Sequence, residues 1–251
     1  VEYEPLENQI GYLKISSFSK LTEKQLKKYL KQAKLEGVTG FILDLRGNPG
    51  GLLNQSVKVA SHFLFKGQMV VYTQGRSKDD YREYRSLYKE SLHKMPVVVL
   101  INQYSASASE IVAGALRESG NALLIGENSY GKGSVQTIFR ISDGSGVRLT
   151  TSKYFTPAGA DITKNGIVPE IKIINDLIKE EESAVIKKSN NSDTLLSLKA
   201  SSLKNFFEKQ GLNKKHDATV ELARRILKNS YTASKKRSME KAREIAASIN
   251  Y

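Results

Sequence analysis

The chain has 251 residues, 39% of them hydrophobic and 26% charged, which is enough apolar content for the core of one large domain, alone or with a smaller appendage. No apolar run reaches the roughly 18 residues that a membrane-spanning helix needs, and zero cysteines exclude disulfides, thiolate catalysis and cysteine-ligated metals. The three histidines, His62, His93 and His216, lie far apart in the sequence, which argues against metal catalysis by a histidine cluster. We therefore predict neither a metal nor another cofactor.

The net charge of +13 is spread along the chain, with +7 in residues 1–174 and +6 in residues 175–251. A basic surface attracts nucleic acid or lipid headgroups, but solvated lysine faces give the same composition. No recognition helix or aromatic RNA-binding pattern accompanies the charge. We predict no nucleic-acid partner and no stable membrane insertion, and binding to anionic surfaces remains an alternative that rests on charge alone.

The first half of the chain alternates predicted strands and helices. Residues 10–15 predict a strand, residues 22–36 a helix that ends at Gly37, and residues 41–45 a short apolar strand of the kind buried in parallel sheets. Residues 46–51, rich in glycine with one asparagine and one proline, predict a turn, and a helix is predicted after them to about residue 65. Further strands are predicted at 69–73, 97–101 and 122–125, with a polar excursion at 75–94 and a helix at 109–118. This order indicates an α/β core with mainly parallel strands.

The pattern changes after residue 132. Residues 135–141 and 147–155 flank a Ser/Gly-rich turn and predict a β-hairpin, and residues 166–171 close the β-rich part. From about residue 175 the chain is polar and has a helical pattern, for example at 203–210 and 218–229.

Three segments contain residues suited to catalysis. The first, SASASE at residues 105–110, follows a buried strand and opens a helix. A serine at such a junction is exposed at the sheet edge, beside free N–H groups and the positive end of the helix, which suit a developing oxyanion. The alternative is simple helix capping, because serine is a preferred N-cap residue.

The second segment is YGKGSVQ at residues 130–136. Glycines let Lys132 approach other backbone, and partial burial would disfavour its ammonium form. A neutral amine can accept a serine proton, and Gln136 could hydrogen-bond that amine. The alternative is a lysine on a surface turn.

Residues 126–132 also match the start of a phosphate-binding loop, G-x-x-x-x-G-K. The next position should be Ser or Thr and is Gly133, and a predicted strand follows where that loop requires a helix. These departures argue against nucleotide binding.

The third segment, RGNPGG at residues 46–51, lies at the predicted carboxyl end of a parallel strand, where open α/β sheets place their sites. Consecutive glycines allow backbone N–H groups to approach a ligand closely, as an oxyanion hole requires. The alternative is a tight turn without a catalytic role.

Together the three segments resemble those of the C-terminal processing, or tail-specific, peptidases. The resemblance spans roughly residues 8–174, with every block in the family's order. The blocks are LDLRGNPGG at 43–51, SASASEIVAGAL at 105–116, GKGSVQ at 131–136, LTT at 149–151, YFTPAG at 154–159 and GIVPE at 166–170.

The resemblance assigns roles to individual residues. It implies Ser107 as the nucleophile, Lys132 as the general base and Gln136 as the partner of that base. The separation of 25 residues between Ser107 and Lys132 is typical of the family and favours Ser107 over its two neighbouring serines. The implied oxyanion hole uses the N–H groups of Ala108 and Gly51, with Gly50 as the second choice.

The implied fold is α/β and crotonase-like (ClpP/crotonase), a core of ββα units with a β-rich extension and a helical C-terminal region. We predict a serine protease core at residues 1–174, and at residues 175–251 helices that pack on the core or form a homodimer contact. The family usually carries a PDZ domain ahead of the first block, and this chain has no room for one. It is therefore either an excised core or a member of a PDZ-less branch.

The implied activity is that of a serine endopeptidase with a Ser–Lys dyad, which cleaves proteins at or near unstructured C-termini through an acyl-enzyme. Its partners are protein or peptide substrates, and the implied location is the bacterial cell envelope, periplasmic or otherwise extracytoplasmic. The alternative is a latent or non-catalytic module of the same fold that binds peptides or a partner.

Overall fold

The computed structural model describes residues 1–174, 196–210, 217–228 and 235–249. Within these ranges the chain forms two β-sheets and seven α-helices. The strands are β1 (Glu2–Leu6), β2 (Ile10–Lys14), β3 (Gly40–Asp44), β4 (Met69–Gly75), β5 (Arg82–Arg85), β6 (Val97–Ile101), β7 (Ala122–Gly126), β8 (Ser134–Arg140), β9 (Gly146–Phe155), β10 (Ile171–Ile174) and β11 (Leu196–Lys199). The helices are α1 (Thr22–Leu35), α2 (Leu53–Ser61), α3 (Ala108–Glu118), α4 (Ile162–Asn165), α5 (Ala200–Lys209), α6 (Ala218–Leu227) and α7 (Lys235–Ile249).

The larger sheet has the order β1-β2-β3-β6-β7-β10-β11, and only the β1–β2 pair is antiparallel. The central strands β3, β6 and β7 are buried along their whole length. Such apolar runs are expected where helices cover both faces of a parallel sheet. The carboxyl ends of the three strands meet at one edge of the sheet, and each of them leads into one of the three segments singled out from the sequence.

Each face of the larger sheet packs against its own set of helices. Successive side chains of a strand point to opposite faces, so Phe41 and Leu43 belong to the cluster formed with α1, α2 and α3, and Ile42 to the opposite one. That second cluster contains Phe207 of α5, Ile226 of α6 and residues of α7. The C-terminal helices therefore cover an apolar face of the core sheet.

The smaller sheet is antiparallel, with the order β5-β4-β9-β8, so β8 is an edge strand. The β8–β9 hairpin carries large apolar side chains that are mostly exposed, among them Ile138, Phe139 and Leu149. The β8–β9 hairpin is the β-rich extension predicted from the sequence, and β4 and β5 extend it to four strands.

The predicted α/β fold and the β-hairpin are confirmed. Three details differ. The strand predicted at 69–73 is β4 of the smaller antiparallel sheet and not part of the parallel core, and the excursion at 75–94 contains β5. Residues 166–170 form no strand, and β10 begins only at Ile171. His216 and residues 175–195 lie outside the described residues, so the predicted boundary at 174/175 stays a prediction. No helix among the described residues is long and apolar enough to cross a membrane.

Candidate active site

Ser107 lies at the turn between β6 and α3, where it is the N-cap residue of the helix. Its φ of 55° and ψ of −111° are strained for a residue with a side chain. The only other non-glycine residues with positive φ in the described part of the chain are Asn8 and Gln9, between β1 and β2. A strained serine at a strand-to-helix turn projects its hydroxyl from the sheet edge, as a nucleophile must.

The structure separates Ser107 from its two neighbouring serines. Ser105 and Ser109 are both 0% exposed. The Ser105 hydroxyl donates to the Leu45 carbonyl (2.9 Å) and that of Ser109 donates to the Asn48 carbonyl (2.9 Å). Ser107 is only half-buried, and its hydroxyl donates no hydrogen bond to any described residue. Of the three, only Ser107 has a hydroxyl available for reaction.

The Gly50–Gly51 turn packs directly against this serine. Gly50 has φ of 102°, and a Cβ on it would lie 2.7 Å from the Ala106 carbonyl oxygen and 2.9 Å from Ser107 Cβ. Gly51 has φ of 142°, and a Cβ there would lie 2.3 Å from the Phe18 carbonyl oxygen. Only glycine fits both the backbone conformation and the available space at these positions.

Asn48 ties this turn to the serine segment and is completely buried. Its amide donates to the Ile15 carbonyl (2.7 Å), and its side-chain oxygen accepts from the Gly50 N–H (2.9 Å). Its carbonyl accepts from the Ala106 N–H (3.0 Å) as well as from Ser109. The Gly50 N–H is therefore occupied, whereas those of Gly51 and Ala108 donate to no other backbone or side-chain group in the described ranges.

The lysine loop is held to the serine segment by a buried carboxylate. Glu110, in the first turn of α3, accepts hydrogen bonds from the N–H groups of Ser107 (2.7 Å) and Lys132 (2.9 Å) through its Oε2 atom. Its Oε1 atom accepts from the Ser129 hydroxyl (2.6 Å) and the Gly131 N–H (2.6 Å). The backbone of the predicted base is thereby fixed beside the backbone of the predicted nucleophile.

The side chains of Lys132 and Gln136 are less constrained. Both are exposed, so the partial burial predicted for Lys132 is not found. Within the described residues, no hydrogen bond joins the Lys132 amine to the Ser107 hydroxyl or to Gln136. The element after Lys132 is strand β8, so the helix N-terminus that a phosphate-binding loop requires does not follow this lysine.

A partly buried ion pair, with Asp44 buried and Arg46 22% exposed, supports the start of the glycine turn. The Arg46 guanidinium binds Asp44 at 2.6 Å and Asp217, the N-cap residue of α6, at 2.7 Å. Burial by itself lowers the pKa of Arg46, but the hydrogen bonds and charge of Asp44 outweigh it and raise the pKa above its ordinary value. Burial raises the pKa of Tyr12, whose hydroxyl donates to Asp44 at 2.7 Å, and the Asp44 charge raises it further.

Two structurally important residues received no role from the sequence. Glu110 lies three positions after Ser107, the S-x-x-E spacing of a capping box, which indicates that its carboxylate folds back on the Ser107 N–H. Asn48 lies inside a turn motif, where asparagine side chains commonly bond nearby backbone. Neither pattern reveals the contacts with the lysine loop or with Ile15, because those segments are distant in sequence.

The fold and the three converging segments define the class predicted from the sequence, that of the C-terminal processing peptidases. The chain belongs to peptidase family S41, whose model matches residues 9–173. It is 44% identical over 172 residues to a carboxy-terminal-processing protease of Bartonella bacilliformis, covering 67% of this chain and 39% of the relative. It is likewise 44% identical over 169 residues to the carboxy-terminal processing protease CtpA of Bacillus subtilis, covering 67% of this chain and 36% of that protein.

Solved structures agree with this assignment. The chain resembles a photosystem II D1 C-terminal processing protease with a TM-score of 0.61 and 34% identity, covering 74% of this chain and 48% of that one. A putative S41 protease from Bacteroides fragilis, 19% identical with a TM-score of 0.58, shares the fold. The crotonase-like α/β fold predicted from the sequence is thereby confirmed. The chain spans well under half the length of the curated relatives it matches.

Proposed function

We propose that this chain is the catalytic part of a serine endopeptidase that cleaves proteins at or near unstructured C-termini. The observation that supports it best is the site itself. Ser107 has an available hydroxyl in a strained turn, and one carboxylate oxygen binds both its N–H and that of Lys132. Membership of family S41 supports the same chemistry.

In the proposed reaction the neutral Lys132 amine removes the Ser107 hydroxyl proton, and the serine oxygen attacks a peptide carbonyl carbon. The N–H groups of Ala108 and Gly51 stabilise the resulting oxyanion; Gly51 is favoured because the Gly50 N–H is bound to Asn48. The C–N bond then breaks, and the lysine returns its proton to the leaving amine. Water, activated by the same lysine, hydrolyses the ester and frees Ser107.

In this scheme the Lys132 amine is exposed in the unliganded enzyme and is covered only when a substrate peptide binds. Catalytic hydrogen bonds are often long in unliganded enzymes and tighten when substrate binds. A bound peptide would cover the amine, exclude water and thereby disfavour the ammonium form. Gln136, the third residue of β8, is proposed to orient the Lys132 amine in that complex.

The surroundings of the site suit an extended, partly apolar peptide. Leu52, Tyr104 and Tyr130 are exposed close in sequence to the glycine turn, Ser107 and Lys132. Strand β8 begins two residues after Lys132 and lies at a sheet edge, where an extended chain can add as a further strand. Folded segments cannot bind in this way, which supports unstructured segments as substrates, and the preference for C-terminal ones rests on the similarity to carboxy-terminal processing proteases.

The test is cleavage of casein, an unstructured protein, followed by gel electrophoresis. We expect Ser107→Ala and Lys132→Ala each to abolish cleavage while circular dichroism stays unchanged. Ser142→Ala, in the turn of the exposed hairpin, and Lys24→Ala, an exposed lysine of α1, are matched controls that should keep full activity. Full activity of Lys132→Ala would end the proposal.

A latent or non-catalytic peptide-binding module is the second candidate, and the exposed Lys132 favours it. A serine-reactive probe separates the two, since only an activated Ser107 is labelled faster than the other serines. We also propose an extracytoplasmic location in a bacterial envelope, because relatives are bacterial and chloroplast processing proteases. Cell fractionation of the full-length protein tests that location.

A further inference from the structure

We infer that Glu110 is a positioning residue that sets the separation between the nucleophile and the general base. The inference rests on the proposed Ser107–Lys132 chemistry and assigns a role to a residue outside the dyad and the oxyanion hole. Glu110 is 0% exposed, so its carboxylate is within the protein and not in contact with substrate.

One carboxylate oxygen bridges the serine turn and the lysine loop. Glu110 Oε2 accepts hydrogen bonds from both the Ser107 N–H (2.7 Å) and the Lys132 N–H (2.9 Å). The distance between these two nitrogens therefore cannot exceed the two hydrogen bonds placed end to end. Bonds to an ionised acceptor are shorter and stronger than neutral ones, so this atom holds the two backbones in a narrow range of separations.

Few other contacts could replace this bridge. Four hydrogen bonds join residues 129–132 to residues 105–110 in the structure, and three of them end on Glu110. The fourth runs from the Tyr130 N–H to the Ser105 carbonyl (3.0 Å). Ser129 also binds Ile167 through its N–H and its hydroxyl, which fixes the loop to a different segment. Without Glu110, no other hydrogen bond among the described residues joins the Lys132 backbone directly to the serine turn.

Glu110 also acts on the nucleophile. Ser107 has an unfavourable positive φ, and strained backbone persists only where surrounding contacts enforce it. The hydrogen bond from the Ser107 N–H to Glu110 is such a contact. The same carboxylate thus maintains the turn that exposes the hydroxyl and positions the loop that carries the base.

Two substitutions remove different parts of the bridge. Glu110→Ala removes the four hydrogen bonds that the carboxylate accepts, from Ser107, Ser129, Gly131 and Lys132. Glu110→Gln keeps the length but replaces one acceptor oxygen by an NH2 group, which only donates. Its NH2 group fits best at the Oε1 position, because the Ser129 hydroxyl can accept a hydrogen bond there, whereas Oε2 faces two N–H donors. The glutamine variant should therefore keep the Ser107–Lys132 bridge and lose the Gly131 contact. Glu118→Gln, at the other end of α3, is a matched control that also removes one carboxylate from this helix.

The first measurement is amide-resolved hydrogen exchange on the whole chain, which does not depend on activity. In Glu110→Ala the Ser107 and Lys132 amides should both exchange faster, and in Glu110→Gln only the Gly131 amide should do so. Glu118→Gln should change neither pattern. Unchanged exchange at Ser107 and Lys132 in Glu110→Ala would overturn the inference, whatever the activity.

The second measurement is the kinetics of peptide cleavage. Misplacement of catalytic groups by about 1 Å can cost about 100-fold in rate, so Glu110→Ala should lose about that factor in kcat with little change in KM. Glu110→Gln should lose about tenfold or less. Faster exchange without loss of kcat would overturn the positioning role, whereas a wild-type chain that cleaves nothing would instead contradict the proposed function.

Discussion

The two halves of the candidate site differ in how completely the folded chain fixes them. On the serine side, Ser107, the glycine turn and Asn48 are held by close packing and buried hydrogen bonds, which enforce the unfavourable backbone conformation of Ser107. On the lysine side the backbone is fixed by Glu110, but the side chains of Lys132 and Gln136 are exposed. In the proposed mechanism the nucleophile and the oxyanion donors are therefore preorganised, whereas the proposed base would acquire its working geometry only when substrate covers the site.

The largest expected effect comes from disturbing the preorganised half. Gly50→Ala places a Cβ against Ala106, Ser107 and the Ala108 N–H, so the serine turn must shift. Displacement of this kind costs about 100-fold in rate, which steady-state cleavage assays would measure.

Gly47→Ala is the control, because Gly47 also has positive φ, of 73°, but has nothing within 4 Å of the added carbon. It should lose about 1 kcal/mol of stability and keep its activity. Equal activity of the two variants would show that close packing of the glycine turn does not matter for the nucleophile.

A smaller effect is expected on the lysine side. Gln136→Ala removes the proposed partner of the Lys132 amine, and one hydrogen bond contributes about 1 kcal/mol, so kcat should fall by about five- to tenfold. Stability should not change, because Gln136 is exposed. Thr137→Ala, at the neighbouring exposed position of β8, is the control, and the same loss in both variants would remove the specific role of Gln136.

The smallest effect concerns the scaffold behind the serine half. His62 is the C-cap residue of α2, the helix that follows the glycine turn. Its Nε2 atom lies 3.3 Å from Glu23 of α1, its ring packs against that of Tyr88, and the nearby charge of Lys27 disfavours its protonated form. Burial lowers its pKa below 6.5, and Glu23 offsets this only in part. The unfolded chain therefore binds the proton more readily than the folded one. The stability that His62 contributes is present above pH 6.5 and is lost as the pH falls.

Urea unfolding at pH 7.5 and at pH 5.5 measures this dependence of the free energy of unfolding on pH. His62→Gln should unfold at a urea concentration that depends less on pH than that of the wild type, and His93→Gln provides a control histidine. If the urea midpoint of His62→Gln changes with pH as much as that of the wild type, the acid sensitivity belongs to other groups.

Much of the serine half could be predicted from the sequence. A buried strand, a serine run and a helix place Ser107 at a junction, and the Gly50–Gly51 pair indicates a close backbone approach. The preference for Gly51 over Gly50 came from the family resemblance alone, because the physical reason for it is the hydrogen bond between the Gly50 N–H and the Asn48 side chain. The exposure of Lys132 was left open between partial burial and a surface turn, since glycine neighbours indicate loop freedom but not what covers the loop. The role of Glu110 depends on contacts between residues more than 20 positions apart, which no local pattern contains.

The most direct test of the central claim is rapid-quench mass spectrometry during turnover of an activated peptide ester. We predict a transient acyl group on the peptide that contains Ser107 in the wild type, and no such adduct in Lys132→Ala at the same time points. An adduct on another residue, or one that forms at the same rate without Lys132, would contradict the proposed Ser–Lys mechanism.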